Sequence, residues 1–298
     1  MSVRGWSGKT GVARVSVILA IVVAGLLAVV AVPRLRAFYF GQGAVPYERA
    51  RATLSRLPTQ LSAGTTGSTG AALGRKPLVP DSEGRIRVRV SDRTPNRFPA
   101  EGIPAGWTAK EFEGHASVEL VKDEARLALR LRSEHSSFAL YRDVVVDLNE
   151  FPFLSWSWKV VRLPDHGDVR DRAADDQAAQ VYVIFPRWPA PLRNSDVVGY
   201  VWDSRAPVGT QITSTKAGNV KIIVVESGRS QADAWRVEHR DVARDYAALF
   251  GRPAPRVGQV AVMIDTNDTR GAAEALIGDL IFARTRSESM ESATSMLR

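Results

Sequence analysis

Short, β-branched apolar runs recur every 10–20 residues along the last two-thirds of this chain, and that rhythm restricts the fold more than any other feature. They are SVELV (117–121), ARLALRLR (125–132), SFALY (137–141), VVVDL (144–148), FLSWSWKVV (153–161) and AQVYVIF (179–185). VVGYVW (197–202), VKIIVV (220–225), WRVEHRDV (235–242), VGQVAVMID (257–265) and LIGDLIFA (276–283) follow. Several alternate with period two. Leu154, Trp156, Trp158 and Val160 share one face, with Ser155, Ser157 and Lys159 on the other. Only VARDYAALF (242–250) has helical spacing, and Gly251 and Pro253 end it. Ten or more short strands in about 190 residues predict an all-β domain, a jelly-roll-type β-sandwich with one short helix. No internal repeat is visible.

Before this body lies a different chain. Eighteen uncharged residues run from Val15 to Val32 behind Arg4, Lys9 and Arg14. As a helix they span roughly 27 Å, close to a hydrocarbon core of about 30 Å. They are expected to form a transmembrane anchor or uncleaved signal, although Val29 and Ala31 also make a tolerable cleavage site after Ala31. The division expected is a basic tail (1–14), the anchor (15–32), a basic stalk and linker (33–91), the sandwich (92–284) and a disordered tail (285–298). RIRVRV at 85–90 reads either as an edge strand or as the end of the stalk. A short N-terminal tail before a long body favours export, with the body in a bacterial periplasm and the anchor in the inner membrane.

The net charge of +8 is unevenly spread: residues 33–91 carry +7 and residues 92–298 carry −2. A nucleic-acid module keeps its basic face on the folded domain, so nucleic acid is not expected as a partner. The basic stalk is read as contacting anionic lipid headgroups, or as a solvated arm. The absence of cysteine excludes disulfides and thiolate metal sites.

FLSWSWKV, DDQAAQVYVIF, YVW, VKIIVVESG, VEHRDVARDYAALFGRPAP and VAVMIDTNDTRGAAEALIGDLIFA, in that order, resemble a bacterial family, domain of unknown function 3047. The resemblance covers about residues 92–284. It implies an exported single-domain β-sandwich, similar in outline to carbohydrate-binding modules of galactose-binding-like fold. The long apolar segment and Arg-rich stalk depart from the conventional signal of many members.

The candidate chemistry is acidic. Asp165 to Asp176 places five carboxylates in twelve residues between two strand signals, without the spacing of an EF-hand. Asp175 and Asp176 abut AQVYVIF and, being adjacent in an extended chain, point to opposite faces. Asp265, Asn267 and Asp268 follow another strand and offer oxygen atoms suited to metals or sugars, and they are equally ordinary turn formers. These acidic clusters are expected to converge at one edge of the sandwich, with their repulsion offset by a cation, by Arg187 or Arg270, or by hydrogen-bond donors. Asp279 is the candidate for a structural calcium. Trp188, between prolines, is the candidate exposed platform; Trp202 and Trp235 are intermediate, and Trp156 and Trp158 are expected in the core. G-x-S-x-G, H-E-x-x-H and a Cys nucleophile are all missing. Three functions compete. The first is a non-catalytic module binding a glycan or other polar envelope ligand. The second is an envelope carbohydrate hydrolase using Asp175 or Asp176 with Asp265 or Asp268. The third is a structural module that contacts envelope proteins.

Overall fold

The computed structural model describes residues 78–124, 126–187 and 195–290. They form two seven-stranded sheets. The first runs β12 (Arg236–Asp241), β7 (Phe153–Arg162), β14 (Ala272–Ala283), β5 (Arg126–Glu134), β4 (Ser117–Asp123), β2 (Ala100–Glu101), with β1 (Ile86–Val88) also on β14. The second runs β10 (Gln211–Thr213), β11 (Val220–Ser227), β9 (Asp196–Asp203), β8 (Ala179–Phe185), β13 (Val257–Asp265), β6 (Ser137–Val146), β3 (Thr108–Glu113). Every pairing is antiparallel except β9 with β11.

Period-two patterning produces the packing. Leu154, Trp156, Trp158 and Val160 of β7 are fully buried in the core between the sheets. Opposite them stand Val198, Tyr200 and Trp202 of β9. Trp156 meets Tyr200 at 5.3 Å between ring centroids, and Trp158 meets Trp202 at 6.0 Å, so aromatic pairs tie one sheet to the other. Truncating any of these rings to alanine should cost about 3–5 kcal/mol. The helix α1 (Val242–Phe250) starts at Asp241, whose side chain accepts from the Arg244 amide at 2.9 Å. It ends at Gly251 in the left-handed region (φ 67°).

The run 85–90 adopts the edge-strand alternative. Ile86, Val88 and Val90 are buried, and Ile86 pairs with Phe282. The sheet therefore begins before Asp92, because the alternate apolar residues of RIRVRV cover the flank of β14. At the other end, residues 286–290 make a helical turn in which Ser289 is buried and lies 3.0 Å from His239 Nδ1, so order extends past Thr285. Residues 1–77, which include the Val15–Val32 segment, and residues 291–298 lie outside the described residues. No helix among the described residues is long and apolar enough to cross a membrane.

Candidate functional site

Strands β8, β13 and β6 each have one face in the core and one facing outward. On β8, Ala179, Val181, Val183 and Phe185 enter the core, which leaves Gln180, Tyr182 and Ile184 outward. On β13, Val260, Val262 and Ile264 enter it, leaving Ala261, Met263 and Asp265 outward. Register then aligns Tyr141, Ala261, Tyr182 and Gly199 in one row across β6, β13, β8 and β9. Gly199 has a steric reason to be glycine. A Cβ there would stand 2.5 Å from Tyr182 Cε1, so the tyrosine ring lies across its backbone.

The acidic residues gather at one end of this face. Asp265 closes β13 and its amide donates to the Gln177 carbonyl at 3.1 Å. Asp176, fully buried, accepts from the amides of Asp268 (3.1 Å) and Thr269 (2.7 Å) and from the Thr269 hydroxyl. It holds the turn after β13 in place. Asp175 points elsewhere, accepting from Gln177 Nε2 and Thr215 Oγ1, each at 3.1 Å. Lys216 closes the cluster with an ion pair to Asp268, and its Nζ lies 4.0 Å from Asp265 Oδ2. The predicted convergence is present, and Lys216 with backbone and hydroxyl donors provides the offset.

Burial pushes the Asp265 carboxyl up to about 8; Lys216 opposes this, while Asp176 and Asp268 add to it. Asp175 is also raised, first by burial. Burial pulls the Lys216 ammonium down, but the surrounding carboxylates outweigh it and its pKa rises. Tyr182 is raised first by burial and then by the fields of Asp175 and Asp265. Its hydroxyl donates to Gln180 Oε1. Gln180 is 1% exposed, and its Nε2 has no hydrogen-bond partner among the described residues.

The other sequence candidates do not join this group. Arg187 pairs with Asp196 at 3.2 Å, beyond the far end of β8, where Arg252 and the Tyr246 hydroxyl also bind that carboxylate. Trp188 lies outside the described residues. Trp202 is not a surface platform: it is fully buried, with Nε1 on the Gly228 carbonyl at 3.0 Å, because it is an inward member of β9. Asn267 joins the acidic group only through its backbone amide, which donates to Asp265 Oδ1 at 3.4 Å, while its side-chain nitrogen donates to Glu113 at 2.9 Å. Asp279 accepts from the Val90 amide at 2.9 Å and pairs with Arg87 at 3.3 Å, so it secures β1 where a calcium was expected. Trp235 donates to Asp123 at 2.8 Å and stacks against Arg126. Among the described residues, no three His, Asp or Glu residues are placed to hold a metal ion.

Sequence reasoning missed Gln180, Tyr182, Tyr141, Thr215 and Lys216. For Gln180 and Tyr182 the signal was present, since they are the polar members of an alternating strand. Lys216 gave none: it reaches Asp268 from 52 residues away through an irregular connection. A cavity of about 580 Å³ opens beside α1, lined by residues such as Leu148, Ala243, Ala247 and Arg252. It contains no carboxylate and lies apart from the acidic cluster.

No curated protein matches this chain. Among solved structures, the Endo-D glycoside hydrolase domain of Streptococcus pneumoniae is 10% identical with a TM-score of 0.32. That match covers 60% of this chain and 22% of the other, so the chain spans about a fifth of that relative's length. The family 11 xylanase of Neocallimastix patriciarum is 10% identical with a TM-score of 0.31, covering 66% and 95%. A xylan-binding domain (CBM22-1) of Paenibacillus barcinonensis is 12% identical with a TM-score of 0.33, covering 70% and 99%. A family model matches residues 105–281, a span that contains the tyrosine row, the acidic cluster and Lys216. The chain therefore belongs to the family described as Protein of unknown function (DUF3047).

Proposed function

We propose that this protein binds a glycan of the cell envelope on the outward face of β6, β13 and β8, without turning it over. The reading includes a jelly-roll-type body, exported and held at the inner membrane by the Val15–Val32 segment. One observation carries it. Tyr141 and Tyr182 stand in one row beside an amide, three carboxylates and a lysine. Sugars require this combination: flat rings for pyranose C–H faces, and fixed polar groups at the edge for hydroxyls. The test is a glycan panel screened against the full chain, with Tyr182→Ala as control. Binding that falls at least about tenfold in the variant is expected, because aromatic contacts contribute on the order of 1–3 kcal/mol. No binding to any glycan, or equal binding by the variant, would remove the proposal. For the anchor, the full chain should stay in the membrane fraction after a carbonate wash; release would contradict it.

A second reading, hydrolysis of an envelope carbohydrate, is favoured by Asp265. A carboxyl with its pKa pushed up to about 8 is protonated at neutral pH, the state a general acid needs. Asp175 or Asp268 would then be the second carboxylate. New reducing ends released from a bound glycan by the full chain, and lost in Asp265→Asn, would favour hydrolysis over binding alone.

A further inference from the structure

We propose that the cavity beside α1 binds an anionic amphiphile: a single aliphatic chain lying along the helix, with a carboxylate or phosphate head on Arg252. The site is separate from the glycan face and does not depend on that reading. Its walls are aliphatic. Leu148, Ala243, Ala247, Pro253 and Ala254 line a volume of about 580 Å³, the size of a small-molecule pocket, and none of the lining residues is aromatic. Among the described residues, Asn149 and Arg252 are the polar members of that lining, too few to read the hydroxyls of a sugar. Small side chains make the space. Ala243 and Ala247 stand one turn apart on the same side of α1, and Gly251 continues the line past its end. The three cover roughly 12 Å along the helix, a trough suited to an extended chain. Leu148 forms its floor at 4% exposure, whereas Ala247 and Arg252 are exposed, so a ligand reaches the trough without opening the fold.

The charge at its mouth is unbalanced. Asp196, 3% exposed, accepts from Arg187 Nη1 at 3.2 Å, from the Tyr246 hydroxyl at 2.6 Å and from Arg252 Nη2. Burial raises the Asp196 pKa, but these donors outweigh it and hold the carboxyl below its ordinary value. One carboxylate therefore faces two guanidinium groups and a phenol that burial keeps neutral, which leaves one positive charge without a counterpart. Arg256 and Asp147 pair with each other at 3.4 Å and do not alter that balance. Arg252 Nε is taken by the Tyr246 hydroxyl at 3.1 Å and Nη2 by Asp196, and Nη1 remains for a ligand. An anionic head there supplies the missing charge through a charge-assisted hydrogen bond. A neutral alcohol would leave the charge as it is.

The experiment is photolabelling of the full chain, in a nonionic detergent, with a diazirine-bearing decanoic acid, followed by mass-spectrometric mapping of the labelled residues. Label should concentrate at Leu148 and within residues 243–254. Unlabelled decanoate or decyl phosphate should displace it there, and the stronger competitor identifies the head as carboxylate or phosphate. Decanol, which lacks the charge, and inorganic phosphate, which lacks the chain, should each compete at least about tenfold more weakly. Ala247→Phe, which fills the trough from an exposed helix position, should reduce labelling there by at least about tenfold. Arg252→Gln should make decanol and decanoate equal competitors; should that variant fail to fold, the competition on the wild type decides. Label spread over the whole body, decanol as effective as decanoate on the wild type, or labelling retained in Ala247→Phe would overturn the proposal.

Discussion

At the scale of single residues, burial sets how Asp265 titrates. Asp265, pushed up to about 8, is ionised in the unfolded chain above pH 4 but protonated in the fold until pH 8. The folded state thus binds more protons through that window, and stability contributed by this group falls as pH rises from about 4 to 8. Asp265→Asn removes the titration and keeps an oxygen for the Asn267 amide. The variant should be more stable than the wild type at pH 8, and the difference should shrink toward pH 4. Urea unfolding at both pH values measures it; a difference independent of pH would contradict the protonated state. Asp175, raised by burial, contributes with the same sign but remains in both proteins. Asp and Asn next to strand ends were visible in the sequence as candidates. The raised pKa of Asp265 was not, because it depends on burial and on Lys216, which the sequence separates from it.

At the scale of strands, legibility followed periodicity. FLSWSWKVV alternates, and its tryptophans were correctly placed inside. VVGYVW reads as a continuous apolar run because the outward Val201 is itself covered, by Val169, Ala206, Ile222 and Val224. Alternation therefore gave no cue that Trp202 points inward. WRVEHRDV hides a different reversal. In β12 the residues paired with Trp158, Trp156 and Leu154 are Arg236, Glu238 and Arg240, so charges face inward at the sandwich edge. They are satisfied there: Arg236 binds Glu226 at 2.9 Å, Glu238 accepts from Trp158 Nε1 at 3.2 Å, and Arg240 grips Asp245. The row of β6, β13, β8 and β9 permits a prediction at this scale. Gly199→Ala inserts a Cβ against the Tyr182 ring, which must tilt off the sheet. Overpacking of this kind costs about 1–3 kcal/mol. Glycan affinity should fall with the displaced ring while the domain still unfolds cooperatively. Unchanged affinity would place the ligand elsewhere.

At the scale of the whole body, β14 connects two ends. Its first residue, Ala272, follows the turn that Asp176 holds, and its last residues pair with β1, where the chain enters the sheet. Twelve residues at about 3.3 Å each separate the two ends by roughly 40 Å. The acidic cluster therefore lies at the end of β14 opposite the one that pairs with β1. The same geometry fixes where the body must be cut. A fragment starting at Asp92 follows the boundary expected from composition, where the basic stalk and linker end. It would discard Ile86, Val88 and Val90, all buried, together with the Val90 amide that Asp279 accepts. Losing three buried aliphatic side chains removes about 1.5–3 kcal/mol each. It also leaves the last third of β14 with an unpaired flank, a template for association. A fragment of residues 78–290 should melt cooperatively with a mainly β circular dichroism spectrum. A fragment of residues 92–290 should melt at least about 10 °C lower, or aggregate, since 1 kcal/mol shifts a domain of this size by about 2–4 °C. Equal melting temperatures would show that β1 is not part of the cooperative unit, and would return the domain boundary to Asp92.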